Sequence, residues 1–411
     1  MTEARPPLPP VADRPIIVQK YGGSSLANPE KVQAVAQRIA ATVADGFRVV
    51  AVVSAMGKTT DGLIAQARAL SPNPVPRELD MLLSTGERVS TALLGIALDA
   101  IGHDAVSLTG SQAGIITNTR HNRARIVEVR PFRVLDLLDE GKIVIIAGYQ
   151  GVSYTREITT LGRGGTDTTA VAIAAAIDAQ YCEICSDVDG VYTADPRLAP
   201  DATRLESLSH EAMIALAREG SKVLNQDCVE HASRAGVAIY AKATFKPRDD
   251  AGTVVRTNPA PSPAILTAIA HRDRVLEVRG APGSAIAGLY AALVSANAMP
   301  HAMDARPGMP VHALIPPENV HQRSVLDAAL ASALPLGYTL RDDRGTVTLV
   351  GPGLGEAPEI LTRALAIATA VGGQDVDIDL GGLHLRVALP SDRVGALVGA
   401  FHKAFFTPGA A

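Results

Sequence analysis

Residues 159–197 read T-T-L-G-R-G-G-T-D-T-T-A-V-A-I-A-A-A-I-D-A-Q-Y-C-E-I-C-S-D-V-D-G-V-Y-T-A-D-P-R. The run opens with a glycine-rich loop, Gly162-Arg163-Gly164-Gly165, followed by an alanine-rich segment that predicts a helix ending near Asp178. Thr166 or Asp167 would cap that helix, and the free N–H groups of a first turn favour an anion. Arg163 offers a planar fork for a carboxylate or phosphate, among glycines that let the backbone come close. Tyr181 to Ser186 predicts a short buried strand, and the acidic turn Asp187-Val188-Asp189-Gly190 follows it. Neither G-x-G-x-x-G nor G-x-x-x-x-G-K-[ST] is present, so the loop alone does not name a nucleotide-binding class.

Working outward, the same grammar recurs. Ile16-Ile17-Val18-Gln19 is an apolar strand running into Lys20-Tyr21-Gly22-Gly23-Ser24-Ser25, with a helix expected from Pro29 to about Ala44. Arg48 to Val53 is a second buried strand, ending in Ser54-Ala55-Met56-Gly57-Lys58-Thr59-Thr60-Asp61. A long helical tract, Arg77 to Ile101, contains Thr85-Gly86-Glu87. A mid-helix glycine costs roughly 1 kcal/mol relative to alanine, so close packing or ligand approach is expected there. Further strands are expected at Ala105–Leu108, Ile143–Ala147, around Ile184 and over Val237 to Tyr240. Strands alternating with helices, several ending in glycine loops, predict a doubly wound α/β domain over 15–245 with its site at the strand C-termini.

The 411 residues leave room for two or three domains. Residues 1–14 read as a disordered leader and 246–263 as a linker. Beyond it, strand patterns alternate with helices at Ser284–Ala296, Val325–Ala333, Glu356–Val371 and Arg393–Phe405, which predicts a pair of α+β modules over 264–411. Hydrophobic residues at 47% and a net charge of −4 describe a folded chain without a basic footprint for nucleic acid or a membrane surface. No signal-peptide layout or membrane-length apolar run is present, so a cytoplasmic protein is expected. Cys182 and Cys185 form a C-x-x-C, but residues three apart on a strand face opposite ways and no second pair accompanies them, so a structural role is expected.

These segments together resemble the aspartate kinase branch of the amino acid kinase family. The family's K-[FY]-G-G-T-S is similar to Lys20–Ser25, its V-V-S-A-M-G-x-T-T-D to Val52–Asp61, and its T-G-E to Thr85-Gly86-Glu87. T-T-L-G-R-G-G-[ST]-D-x-T-A matches Thr159–Ala170, T-D-V-D-G-[VI]-Y-T-A-D-P-R matches Ser186–Arg197, and G-A-K-V-L-H is approached by Gly220–Asn225. The resemblance implies an amino acid kinase fold followed by two ferredoxin-like ACT modules. It also implies transfer of the ATP γ-phosphoryl group to the β-carboxylate of L-aspartate, with Mg2+ bridging the phosphates and no protein metal site. Lys20 would sit between the two anions, Arg163 would hold the aspartate α-carboxylate, and Glu87 and Asp167 its ammonium. Ser54 and Thr59 would line the acceptor pocket and Tyr149 would pack on the substrate. Gly22, Gly23, Ser24, Ser186, Asp187, Tyr192, Arg197 and Lys222, with Lys20, would face the nucleotide. A homodimer through the C-terminal modules is likewise implied.

The chain departs from the family in instructive places. Asn225 stands where a histidine is usual, and Ser24 and Ser186 replace threonines. The effector loops are poorly kept. Gly280–Ala285 lacks its aspartate, His301 and Ala305 replace an aspartate and a glutamine in Met299–Ala305, and Asp377–Leu383 has lost a hydroxyl pair. Weak or absent feedback by lysine and threonine is therefore expected. Two other readings share the fold: a kinase for a different acidic acceptor, and a non-catalytic amino acid sensor.

Overall fold

The computed structural model of the chain describes residues 10–259, 265–281, 284, 286–304, 310–320 and 323–407. They fall into two compact units. The first is Met1–Val191, Arg204–Ile214 and Lys222–Pro261, and the second is Tyr192–Thr203, Ala215–Ser221 and Ser262–Ala411. The second unit thus takes in two segments that lie inside the stretch read from sequence as one domain.

The first unit opens with β1 (Ile16–Tyr21), α1 (Pro29–Ala44), β2 (Arg48–Val53), α2 (Thr59–Leu70) and α3 (Pro76–Asp99). It continues through β3 (Ala105–Leu108), β4 (Ile115–Thr117), β5 (Ile126–Val129), α4 (Phe132–Asp139), β6 (Ile143–Ala147), β7 (Gln150–Ser153) and β8 (Ile158–Thr160). Then come α5 (Gly165–Ala176), β9 (Tyr181–Ser186), β10 (Ser207–Leu208), α6 (His210–Arg218), α7 (Gln226–Ala235), β11 (Ile239–Ala243) and β12 (Thr253–Val255). Its main sheet has the order β10-β12-β11-β9-β1-β2-β6-β3. Pairing is parallel throughout except between β11 and β12. Valine and isoleucine dominate the central strands, which are buried on both faces, as parallel strands covered by helices must be. Each such side chain contributes about 1.5–3 kcal/mol when fully buried. Alternation along β1 sends Ile17 and Tyr21 into a core shared with Val35 and Ile39 of α1 and Leu94 and Leu98 of α3. Lys20 therefore points to the opposite face. α1 starts where expected: Asn28 accepts from the Lys31 amide at 2.9 Å and Pro29 fills the first helical position.

The chain leaves β1 in one direction to reach β2, β6 and β3, and in the other to reach β9 and β11. The switch point lies at the C-terminal end of β1, where an open α/β sheet gathers ligands. A second sheet, β5-β4-β7-β8, was not anticipated from sequence. Two expected boundaries differ. Val11–Asp13 forms a turn of 3-10 helix and Arg48 Nε donates to the Arg14 carbonyl at 3.0 Å, so the end of the supposed leader is ordered; residues 1–9 lie outside the described residues. The supposed linker contributes β12, with 260–263 outside the described residues.

The second unit holds β13 (Ala268–Gly280), α8 (Ile286–Ser295), β14 (Ala302–Asp304), β15 (His312–Ile315) and α9 (Arg323–Ala333). β16 (Tyr338–Val350), α10 (Pro358–Gly372), β17 (Asp377–Leu380), β18 (His384–Pro390) and α11 (Val394–Phe405) repeat that layout. Each half is the α+β module expected, with its own core: Val278, Leu289, Leu293 and Leu330 in one, Val347, Val387, Leu397 and Phe401 in the other. The halves are fused, because β13 and β16 pair antiparallel along most of their 13 residues into one sheet, β14-β15-β13-β16-β18-β17. Two buried arginines of this sheet are held by carboxylates. Arg386 donates to both carboxylate oxygens of Glu219 at 2.6 and 2.7 Å, and fully buried Arg344 donates to Asp377 at 2.8 Å.

Candidate active site

β1 and β2 are parallel neighbours, so the loops that leave their C-terminal ends lie side by side. The Ser54 amide donates to the Tyr21 carbonyl at 3.1 Å and the Gly57 amide to the Gly23 carbonyl at 3.0 Å. Gly23 is obligatory: a Cβ there would lie 2.6 Å from the Ala55 carbonyl oxygen. Gly86, the odd mid-helix glycine of α3, has the packing role expected, since its Cβ would meet that of Ala55 at 2.8 Å. The next residue, Glu87, is 3% exposed. Its Oε1 accepts from the Ala55 amide at 3.1 Å, while its Oε2 is buried with no hydrogen-bond partner. Burial lifts its carboxyl to about 7 against the pull of its backbone hydrogen bonds. A half-satisfied buried carboxylate of this kind asks for a cation.

The glycine-rich loop approaches from β8. Gly162 and Gly164 take φ of +84° and +70°, the left-handed region glycine enters freely. α5 then begins at Gly165, two or three residues earlier than a cap at Thr166 or Asp167 would place it, and no side chain caps it. Thr166 and Asp167 both sit inside its first turn and are engaged elsewhere, which corrects the capping role expected for either. Ser54 Oγ donates to Thr166 Oγ1 at 3.0 Å, and Asp167 Oδ1 lies 2.6 Å from Lys20 Nζ. Burial alone would lower the Lys20 ammonium pKa; the Asp167 charge outweighs it and the net shift is upward. Asn225, the departure from the family's histidine, caps α7 through the Asp227 amide at 2.9 Å. It also packs on Gly164, where a Cβ would sit 2.3 Å away.

Tyr149 adopts φ +67°, with its amide on Thr169 Oγ1 at 3.2 Å and its ring against Gly165. Burial raises its phenol, which faces Thr160 and feels the charges of Glu87, Asp80 and Arg163. Thr59, at the start of α2, is exposed and bonds its hydroxyl to the Met56 carbonyl at 2.7 Å. Two residues missed in the sequence reading belong here. Asp80 of α3, fully buried, accepts from Thr160 Oγ1 at 2.5 Å, His121 Nδ1 at 2.7 Å and the Asn122 amide at 3.0 Å. Arg123, next along that loop, is half-buried beside Arg163.

Beyond Lys20, Ser186 ends β9 with its hydroxyl accepting from the Val188 amide at 3.1 Å. Its carbonyl accepts from the Thr244 amide at 2.8 Å, and Thr244 Oγ1 lies 2.6 Å from Ser25 Oγ, tying this turn to the Gly22–Ser25 loop. Ser24, Asp187 and Lys222 are exposed, and Gly22 lies against Lys20 Nζ. Asp189 is held by Lys246 at 2.5 Å and by Arg204. Tyr192 and Arg197 fall in the second unit, where Arg197 pairs with Asp195 at 2.6 Å. The three cysteines are free and buried, with burial pushing their thiols up. Among the described residues, no three His, Cys, Asp or Glu side chains are grouped to hold a metal, and no helix is long and apolar enough to cross a membrane.

The sequence model of the amino acid kinase family matches residues 15–241. The chain belongs to the amino acid kinase family. Among amino acid kinases it is 42% identical over 408 residues to the aspartokinase of Mycolicibacterium smegmatis, covering 95% of this chain and 96% of that one. It is 41% identical over 406 residues to the Corynebacterium glutamicum aspartokinase, with coverage of 95% and 96%. The Thermus thermophilus aspartokinase is 37% identical over 400 residues, with coverage of 95% and 98%. E. coli aspartokinase III, solved in complex with aspartate and ADP, shares the fold with a TM-score of 0.82 at 22% identity, covering 95% of this chain and all of that one. The aspartate kinase from Synechocystis gives a TM-score of 0.54 at 33% identity, over 95% of this chain and 69% of that one. The expected resemblance to the aspartate kinase branch thus extends through the C-terminal modules.

Proposed function

We propose that this amino acid kinase is an aspartate kinase, transferring the γ-phosphoryl group of ATP to the β-carboxylate of L-aspartate. The observation that carries the reading is the buried Glu87 carboxylate with one unpartnered oxygen, a receptor for the α-ammonium of an amino acid. Arg163, exposed on the glycine loop, receives the α-carboxylate. Lys20, kept charged by Asp167, neutralises the negative charge that converges where the β-carboxylate meets the γ-phosphate. A carboxylate oxygen forms the new bond to phosphorus as the bridging β,γ-oxygen leaves on ADP. The acceptor is already ionised at neutral pH, so no general base is required. Ser54, Thr59 and Tyr149 shape the acceptor side, and Gly22, Gly23, Ser24, Ser186, Asp187 and Lys222 the nucleotide side. Magnesium normally reaches such sites on phosphates with one or two carboxylates, and the exposed Asp187 fits that need without a protein cage.

Trapping the acyl phosphate with hydroxylamine tests the proposal. Aspartate should give a hydroxamate in the presence of MgATP; a clear hydroxamate from another acid with none from aspartate would overturn the substrate. The edge strand β17 exposes Ile378 and Leu380, which supports a homodimer through the C-terminal modules. Light scattering showing a monomer at micromolar concentration would rule that out.

A further inference from the structure

Arg38 lies on the buried stripe of α1 with Val35, Ile39 and Thr42, and is itself 8% exposed. Its guanidinium is met by main-chain oxygens of a single turn: Nη1 donates to the Thr244 carbonyl at 3.2 Å and to the Lys246 carbonyl at 3.1 Å. The buried Glu183 carboxylate of β9 is engaged by Gln19 at 2.8 Å and Lys242 at 3.0 Å. Burying a guanidinium is unfavourable unless its donors are met, and an apolar side chain of similar volume often serves stability as well. A charge placed to grip two carbonyls therefore has a geometric task, which is to fix the turn that carries them.

That turn follows β11, and its residues fasten the ends of three strands. Thr244 is 3% exposed. Its amide and its hydroxyl both donate to the Ser186 carbonyl at the end of β9, at 2.8 and 3.0 Å. Its Oγ1 also lies 2.6 Å from the Oγ of buried Ser25, in the loop that leaves β1. Two residues on, the Lys246 ammonium holds Asp189 of the acidic turn. One short turn thus joins Gly22–Ser25 to Ser186–Asp189, and Arg38 fixes its backbone. Glu87 and Arg163, on α3 and the glycine-rich loop, take no part in these hydrogen bonds.

We propose that Arg38 and Thr244 are positioning residues for the nucleotide, setting the spacing between the Gly22–Ser25 loop and the Ser186–Asp189 turn. This deepens the aspartate kinase reading and rests on it, since that reading gives both segments to ATP. A ligand that spans two loops binds better the more firmly their spacing is preorganised. Loosening the clasp therefore weakens the nucleotide and spares the amino acid.

The test compares wild type, Arg38→Met, Arg38→Lys, Thr244→Val and Thr244→Ser in the full-length protein. KM for MgATP and for aspartate, the calorimetric Kd for ADP without aspartate, and the thermal midpoint are measured on each. Arg38→Met should raise the ATP KM and the ADP Kd about tenfold, with the aspartate KM within about twofold of wild type. Arg38→Lys should recover part of the loss. Thr244→Val should shift the same two constants in the same direction, and Thr244→Ser, which keeps the hydroxyl, should stay within about twofold of wild type. A lowered thermal midpoint with the ADP Kd and both KM values unchanged makes the clasp structural only and overturns the inference, as do equal rises in the two KM values. Wild type that binds ADP but makes no hydroxamate from aspartate overturns the substrate reading alone, and the ADP Kd values of the variants still decide the inference. Wild type that binds no ADP overturns both. Thr244→Val removes one hydroxyl at nearly constant volume, so it carries the test even if Arg38→Met fails to fold.

Discussion

Lys20 Nζ lies 2.6 Å from Asp167 Oδ1, with the two side chains only 11% and 14% exposed. The pair joins the end of the central strand to the first turn of α5. It also explains how an ammonium stays protonated in a place whose burial disfavours charge. Asp167→Asn should therefore leave burial unopposed and lower the Lys20 pKa, so the alkaline limb of the kcat profile moves to lower pH. Lys20→Met should reduce kcat by about 10²–10³-fold, the usual cost of one preorganised charge stabiliser. An alkaline limb unmoved in Asp167→Asn would refute the role given to the pair.

Glu87 makes a prediction of opposite sign in binding and stability. Its carboxyl is raised to about 7 by burial. In the unfolded chain it titrates near 4.3. The folded protein therefore binds the proton more tightly, and stability falls as pH rises through that window. Glu87→Gln should stabilise the ligand-free protein above pH 7 by about 4 kcal/mol at most, while raising KM for aspartate strongly. In wild type, KM for aspartate should rise as pH falls below about 7, because a neutral carboxyl no longer pairs with the ammonium. Thermal melts at pH 6 and 8 with matched kinetics decide it; a destabilised Glu87→Gln at pH 8 contradicts the account.

Arg163 separates the two substrates. Arg163→Ala should raise KM for aspartate by about 10²-fold and leave that for ATP nearly unchanged, because under the proposed function it meets the acceptor away from the reacting carboxylate. Equal losses for both substrates would place Arg163 elsewhere.

Gly23 and Gly86 enclose Ala55 from two sides. Gly23→Ala forces backbone against backbone and should cost about 1–3 kcal/mol with most of the activity. Gly86→Ala opposes a methyl only and should cost less in stability, yet still raise KM for aspartate because it displaces the loop that Glu87 holds. Urea titration and kinetics on both variants give the ranking; Gly86→Ala being the more damaging would reverse it.

Lysine and threonine at millimolar concentration should have little effect on activity. Pro282, Gly283, Ala285 and Ala305 of the effector segments lie outside the described residues. Three of the described positions, His301, Asp377 and Asp379, are engaged from within. Burial drives the His301 imidazole down to about 4, so it is neutral where the family has an aspartate, and its Nδ1–H donates to the Leu314 carbonyl at 3.1 Å. Asp377 is taken by Arg344 and Arg279, and Asp379 by Arg386 and His384. An incoming ammonium would have to break such pairs. Strong inhibition by either amino acid would contradict this.

The parts of the site legible in the sequence are those whose chemistry is local. A lysine at a strand end, Gly-Gly pairs and an arginine among glycines announce themselves in four or five residues. Asp80 did not, because its partners lie 41, 42 and 80 positions away. A signal was present: Asp80, Ser84, Glu87, Thr91, Leu94 and Leu98 share one helical face, and all are buried. Acids on such a face are rarely idle. The sheet β5-β4-β7-β8 was missed because strands of three or four residues are too short for alternation to show. The capping roles expected of Thr166 and Asp167 failed because Ser54 and Lys20 compete for both side chains.

The pairing of β13 with β16 has a practical corollary. A chain ending between Ala333 and Tyr338 would strip β13 of its longest neighbour and uncover a run of unsatisfied amides and carbonyls, an invitation to aggregate. The C-terminal halves cannot then be trimmed one at a time: limited proteolysis should remove both or neither, and a shortened gene product that stays soluble and well folded would show that the seam is weaker than its length implies.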